Sequence, residues 1–164
     1  HRSGTLAGQQ VQIFADAITQ TDENSTPTGR LIPVEGTPFD LRSPREFQAG
    51  LAMDHPQLKL GNGYDHNFAL HREPVSPLSL AARVTGGGLA LECRTTQPGL
   101  QLYTANYLDG TPGKDRAAYG PRSAFCLETQ GWPDAIHHPD FLSPILRAGE
   151  IYRHRTVYRA AALS

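Results

Sequence analysis

The sequence predicts an all-β fold with little helix. Short runs rich in β-branched and aromatic residues recur between turn signals, a pattern typical of sheet proteins. The 13 prolines and 16 glycines are spread along the 164 residues and leave no window for a long amphipathic helix. The predicted strands are 11–15, 30–34, 66–71, 78–85, 89–95, 100–108, 123–130 and 151–160.

The domain organisation predicted from the sequence is simple. A chain of 164 residues with no fixed-period repeat and no linker-like tract favours one domain over residues 1–164. The triplet Gly86-Gly87-Gly88 separates two predicted strands and indicates a hairpin turn. No Lys-Ser or Lys-Thr pair follows the triplet, so a phosphate-binding loop is not favoured.

Charge and cysteine usage narrow the class of partner. Fifteen basic and 16 acidic residues give a formal charge of −1, which supplies no strong field for nucleic acid or an anionic membrane surface. No apolar run is long enough for a membrane-spanning helix. Cys93 and Cys126 lie far apart without metal-ligand spacing, so we expect buried free thiols and a cytoplasmic location.

Side-chain alternation places three polar residues on strand faces opposite apolar ones. Asp65, Gln101 and Glu128 each share a face with small or aromatic neighbours such as Tyr103 and Ala124. The apolar residues on the opposite faces are Phe68, Leu102 and Leu127. Carboxylates and amides on one face suit a neutral polyhydroxylated ligand such as a sugar. Taken singly, Asp65 could equally brace a turn, and the other two could simply face solvent.

Two further clusters are given structural interpretations. His137 and His138, followed by Asp140, resemble metal ligands, but adjacent histidines in an extended segment point apart, and flanking prolines favour an exposed loop. The arginines of run 151–160 alternate with aromatic residues and are expected to form a solvated outer face rather than a phosphate site. The sequence therefore predicts no metal site.

A set of motifs resembles one known family. The segment Gly-Tyr-Asp-His-Asn-Phe at 63–68 resembles the Gly-x-Asp-His-Asn-Phe signature of aldose 1-epimerases. Further stretches that resemble the family, in the family's order, are 26–29, 36–42, 95–106, 125–130 and 144–150. Ala105 and Ala148 depart from the family's usual Gly and Pro. The resemblance implies an antiparallel β-sandwich of the galactose mutarotase type, with this chain as its C-terminal portion.

The resemblance also implies a reaction. Members of the family interconvert the α and β anomers of aldohexoses such as galactose and glucose without a metal or organic cofactor. Residue by residue, it assigns Glu128 as the catalytic general base and Asp65 and Gln101 as ligands of sugar hydroxyls. Alternative functions are a non-catalytic carbohydrate-binding module and a hexose-6-phosphate 1-epimerase relative.

The family's general acid is a histidine in a segment that precedes the position resembling His1. The resemblance therefore implies that the acid lies outside this chain, in a missing N-terminal half. Because a divided sandwich leaves unpaired strands and apolar faces, we expect that half, or another copy of the chain, to cover its surface. We expect the chain alone to be inactive. His1 matches a variable position of the family and is not assigned the role of the acid. His66 is rejected because alternation points it away from Asp65.

Overall fold

Two five-stranded antiparallel sheets form the architecture. A computed structural model describes residues 4–71 and 78–163, so His1 lies outside the described residues. The first sheet has the order β12-β7-β6-β1-β4 and the second has the order β11-β8-β5-β2-β3, while β9 and β10 form a separate ribbon. The strands are β1 Gln10–Ile13, β2 Ala15–Thr21, β3 Pro27–Pro33, β4 Arg45–Glu46, β5 Asp65–Leu70, β6 Ser79–Gly86, β7 Leu89–Thr95, β8 Gly99–Tyr103, β9 Thr111–Pro112, β10 Ala118–Tyr119, β11 Cys126–Gln130 and β12 Thr156–Ala162.

The hydrophobic core lies between the two sheets. Val11 and Ile13 of the first sheet share one buried cluster with Phe68, Leu100 and Leu102 of the second. Each of these five side chains is at most 1% exposed, and burial of such apolar area is the main force that holds two sheets together. The all-β prediction and the sandwich expectation are therefore confirmed.

The hairpin predicted at the glycine triplet is confirmed. β6 ends at Gly86 and β7 begins at Leu89, so the turn consists of Gly87 and Gly88. Their φ angles are 57° and 77°, in the left-handed region that glycine enters without a Cβ clash. Two such residues match the primed turns that suit the twist of a hairpin.

The sequence missed most of β2 and the short helices. The run predicted at 11–15 is two strands, because the chain leaves the first sheet after Ile13 and enters the second at Ala15. Register shifts at both ends of β2 break the alternation by which a strand is recognised. The helices α1 Phe47–Leu51 and α2 Pro56–Leu60 are each five residues long, too short for a periodic signal.

Several other predicted runs have different bounds. The run at 30–34 is part of β3 Pro27–Pro33, and the run at 123–130 becomes a strand only at Cys126. The run at 100–108 stops being a strand after Tyr103, and the run at 151–160 becomes one only at Thr156. β12 is exposed along most of its length, as expected for an outer strand. No helix within residues 4–71 and 78–163 is both long and apolar enough to cross a membrane.

Candidate active site

Three neighbouring strands of the second sheet carry the predicted site residues. β8 lies between β5 and β11, and its Gln101 is paired with Asn67 on one side and Glu128 on the other. Asp65 is displaced by two residues along β5, opposite Tyr103. Because alternate residues share a face, Asp65, Gln101 and Glu128 project from the same side of the sheet.

These three side chains line one open cleft of about 460 Å³. The cleft is bordered by Asp65, Gln101, Tyr103, Tyr107, Glu128, Gln130 and Pro133. Asp65 and Gln101 are half-buried and Glu128 is exposed. The structure thus brings together all three residues that alternation placed on one face.

Asp65 and Gln101 are directly hydrogen bonded. The Gln101 Nε2 donates to Asp65 Oδ1 over 2.8 Å. An ionised carboxylate only accepts hydrogen bonds, so this contact orients the Gln101 amide with its oxygen away from Asp65. That oxygen faces Gln130, whose Nε2 lies 3.5 Å from Gln101 Oε1 and 3.3 Å from Asn67 Oδ1. The Asp65 carboxylate therefore sets the orientation of the Gln101 amide.

Sequence reasoning missed Gln130 and Asn67 as parts of this network. Both residues stand in motifs quoted for the resemblance, and Asn67 shares the Asp65 face by alternation. The signal that would have found Gln130 is the same alternation, since it lies two residues beyond Glu128 on β11. Gln130 and Asn67 meet across β8 at Gly99, where a side chain would block their contact. This role of Gly99 becomes visible only when the strand order is known.

The expectation of two buried thiols is wrong for Cys126. Both cysteines are free, but only Cys93 is buried, whereas Cys126 is exposed beside Glu128. Alternation already placed Cys126 on the Glu128 face, so the general tendency of cysteine to be buried was the weaker guide. Partial desolvation and the nearby carboxylates of Glu128 and Asp65 raise the pKa of the Cys126 thiol. A protonated thiol is a poor nucleophile, so this residue is not a candidate for covalent catalysis.

His66 lies in the core, away from the Asp65 carboxylate, as predicted. It is 1% exposed, and its ring packs 4.7 Å from the Phe39 ring. Its Nδ1 accepts a hydrogen bond from the Asp65 backbone N–H over 3.0 Å. Burial lowers the pKa of His66 to about 4, with the neighbouring His55 as a smaller cause. A neutral imidazole on the far side of the sheet cannot serve the cleft as an acid.

The His137-His138 segment is organised by one carboxylate. It ends a short 3₁₀ turn, Ala135–His137, and Asp134 contacts both rings at 2.5 and 3.3 Å. His137 is exposed, in agreement with the predicted loop, and His138 is half-buried with Nε2 3.3 Å from the Pro27 carbonyl oxygen. In the described part of the chain, no group of three or more potential metal ligands is found.

Comparison with known proteins assigns the family. The sequence model of the family described as aldose 1-epimerase matches residues 1–159. The chain belongs to the aldose 1-epimerase family. The resemblance carried by the motif at 63–68 and its companions is therefore confirmed, and the cleft on β5, β8 and β11 lies on strands that carry those motifs.

Curated aldose 1-epimerase relatives include mammalian and bacterial proteins. Galactose mutarotase from Sus scrofa is 45% identical over 165 residues, which cover 95% of this chain and 47% of that protein. The Homo sapiens galactose mutarotase is 44% identical, with 97% and 48% covered. Aldose 1-epimerase from Escherichia coli (strain K12) is 36% identical, with 96% and 46% covered. The chain thus spans about half the length of the curated relatives it matches.

Solved structures of aldose 1-epimerase relatives share the fold. A GalM/aldose epimerase homologue from C. elegans superposes with a TM-score of 0.87 at 26% identity, covering 99% of this chain and 48% of that one. A galactose 1-epimerase from Lactobacillus acidophilus gives 0.67 at 22% identity, covering 98% and 46%, and supports the fold alone.

Proposed function

We propose that the protein is an aldose 1-epimerase that interconverts the α and β anomers of an aldohexose such as galactose or glucose. One observation carries the proposal. In a chain of this family, Asp65, Gln101 and Glu128 lie on three adjacent strands and line one open cleft. Relatives named galactose mutarotase and aldose 1-epimerase support the same activity.

Glu128 is the general base of this proposal. Its carboxylate removes the proton from the anomeric hydroxyl while a general acid protonates the ring oxygen. The bond between the anomeric carbon and the ring oxygen breaks, and the free aldehyde forms. Rotation of the aldehyde and reversal of the two proton transfers close the ring with the other configuration. The family resemblance implies that a histidine serves as this acid.

Asp65 and Gln101 hold the sugar in this mechanism. Two strand spacings, about 10 Å, separate β5 from β11, which leaves room for a pyranose ring above Gln101 on β8. The Asp65 carboxylate keeps acceptor capacity beyond its bond to Gln101, so it also receives hydrogen bonds from sugar hydroxyls. Tyr103 and Tyr107 add aromatic surface to the wall.

The charges of the cleft favour an unphosphorylated sugar. Among the described residues that line it, Asp65 and Glu128 are acidic and none is basic. Two carboxylates repel a phosphate group, and Arg or Lys would be needed to hold one. A hexose-6-phosphate substrate is therefore disfavoured.

The free thiols of Cys93 and Cys126 support a reducing compartment, and we propose a cytoplasmic location for the protein.

Glu128→Gln tests the proposal because it keeps the side-chain shape and removes the base. In the intact enzyme we expect turnover, measured by polarimetry against the spontaneous rate in buffer, to fall by about 10²–10⁴-fold. Galactose affinity, measured by calorimetry, should change much less. Glu92→Gln is the matched control, since Glu92 pairs with Arg83 over 2.9 Å on the other sheet and should leave turnover unchanged.

Other results would redirect the proposal. Normal turnover in Glu128→Gln would remove Glu128 from the mechanism. Galactose binding by the intact, unmodified enzyme without anomer interconversion would identify a non-catalytic carbohydrate-binding module. A strong preference for galactose 6-phosphate over galactose would contradict the charge argument and favour the phosphorylated-sugar branch.

A further inference from the structure

A smaller compartment of about 130 Å³ adjoins the cleft on the β2 side of the sheet. It shares Asp65 and Gln101 with the main cleft and adds Thr19, Thr21 and Asn67 to its wall. The main cleft extends instead toward β11. Asp65 and Gln101, together with Pro133, therefore line both spaces.

Asn67 has an unpaired donor at this wall. The residue is 1% exposed, and its Nδ2 is a buried atom without a hydrogen-bond partner. Buried polar groups are almost always partnered, because leaving a donor unpaired costs its full desolvation. A ligand acceptor that enters the compartment walled by Asn67 would pair this donor.

The other end of the Asn67 amide fixes the direction of this donor. Asn67 Oδ1 lies 3.3 Å from Gln130 Nε2, on the side of β8 and β11. Gly99 of β8 permits this approach, since a Cβ there would collide with Asn67 Oδ1. With its oxygen toward β8, the amide directs its amino group toward β2, where Thr19 and the compartment lie.

We infer that this compartment is a second sugar subsite, in which Asn67 Nδ2 donates a hydrogen bond to a hydroxyl oxygen of the bound aldose. The inference rests on the proposed sugar-binding function. The subsite takes a neutral, hydroxyl-bearing substituent of the ring, because the only charged residue on its described wall is Asp65. A phosphate or carboxylate group would meet the Asp65 charge without a cation to balance it. Asn67 is thus a specificity-determining residue.

The test combines variants of Asn67 with galactose analogues that each lack one hydroxyl. Asn67→Leu and Asn67→Ala both remove the amino donor, the first with little change of volume. Calorimetry on the purified protein should show galactose affinity about tenfold weaker in both, the size expected for one hydrogen bond. For the monodeoxy galactose that lacks the contacted hydroxyl, variant and unmodified protein should bind equally, because that partner is already absent.

Two controls separate ligand contact from a structural role. Asn24→Ala changes an exposed asparagine in the turn between β2 and β3 and should leave every affinity unchanged. The melting temperature of Asn67→Leu should fall only slightly, because the unpaired donor makes no contact and the variant loses only the long 3.3 Å hydrogen bond from Gln130 Nε2 to Asn67 Oδ1.

The inference is overturned if both Asn67 variants keep normal galactose affinity, if they lose the same factor for every monodeoxy sugar, or if the unmodified protein binds none of these sugars. Failure of the proposed function looks different. In that case the coupling to one hydroxyl would be seen by calorimetry, while polarimetry on the intact enzyme would show no interconversion above the buffer rate. Such a result would support the subsite and contradict only the catalytic proposal.

Discussion

Along β5, neighbouring residues of one strand face two different environments. His66 and Phe68 are 1% exposed and pack in the core, whereas Asp65 is half-buried at the cleft. Across the sheet the same division holds for buried Leu102 against half-buried Gln101. The strands are shared, but one face stabilises the fold and the other presents hydrogen-bonding groups. Substitutions on the two faces should therefore have separable effects.

Two buried asparagines show the same contrast in their hydrogen bonds. Asn106 is 2% exposed, and its amino group donates to the carbonyl oxygens of Gly61 and Tyr64 over 2.6 and 2.9 Å. Its Oδ1 accepts from Thr104 over 2.7 Å. Asn67 is equally buried, yet its amino group has no partner. Full pairing marks a residue that holds the chain together, whereas the unpaired donor of Asn67 is the group that the proposed subsite would pair.

The largest effect is expected on the core face. Phe68→Ala should lower the free energy of unfolding by about 3–5 kcal/mol, the usual cost of deleting a buried phenyl ring. Urea denaturation gives this quantity, and calorimetry on the remaining folded protein should show near-normal galactose affinity. A large loss of affinity in the folded fraction would mean that the two faces are not independent.

Asp65→Ala, on the cleft face, should have a smaller effect, and it should weaken sugar binding rather than stability. Hydrogen bonds to a charged group contribute about 1.5–3 kcal/mol, so KM for galactose should rise by roughly 10- to 150-fold while kcat changes less. The variant also frees the Gln101 amide that Asp65 orients. Polarimetry at several galactose concentrations separates KM from kcat.

The control for Asp65 is Asp54→Ala. Asp54 is exposed and pairs with Lys59 over 2.5 Å, away from the residues that line the cleft, so kinetics and stability should both stay close to normal. If Asp65→Ala instead lowered kcat with KM unchanged, Asp65 would belong to the chemical step rather than to sugar binding.

The part of the site that could be predicted depends on regular alternation. The pairing of β8 with β5 and with β11 has no register shift; Asp65 pairs with Tyr103, and Gln101 pairs with Glu128. Side-chain alternation therefore placed all three site residues on the same face. The same rule failed on β2, where register shifts interrupt it, and with it the wall formed by Thr19 and Thr21 was missed.

Other parts of the site depend on contacts between distant segments. Nothing in the local sequence links Gln130 to Asn67, which meet only because β8 lies between their strands and carries Gly99 at the crossing point. Strand order is a property of the whole sheet, and one sequence does not reveal it. The exposed position of Cys126 was available from alternation but was overruled by a compositional tendency.

The free energy of unfolding should depend on pH because His66 is buried in the core. Its folded pKa of about 4 lies below the ordinary value of 6.5, because burial penalises the charged imidazolium. The unfolded chain therefore binds the proton more readily than the folded one. Stability is complete above about pH 6.5 and is lost as the pH falls from there toward 4, at a slope of roughly 1.4 kcal/mol per pH unit.

Urea denaturation across this pH range measures the slope, and two variants assign it. His66→Gln should reduce the slope, whereas His154→Gln, at an exposed ring that bonds Thr96 rather than a described carboxylate, should leave it unchanged. Burial also lowers the pKa of His55, so a residual slope in His66→Gln should disappear when His55 is replaced as well. The basic partners of Asp40 and Asp134 lower the pKa values of these carboxyls. Their protonation therefore reduces the stability of the protein only near and below pH 3.8, outside the range in which His66 acts.

Protonation of His66 in the core should also affect the position of Asp65 at the cleft. Protonation of His66 removes the Nδ1 acceptor of the Asp65 backbone N–H, the one hydrogen bond described between the two residues. In the folded protein His66 gains its charge only near pH 4, so Asp65 should lose its fixed position there, and galactose affinity should weaken near pH 4 rather than over the higher range in which stability falls. If affinity stays constant as the pH passes through 4, the imidazole serves the core alone, and the two faces of β5 are independent even where His66 meets the Asp65 backbone.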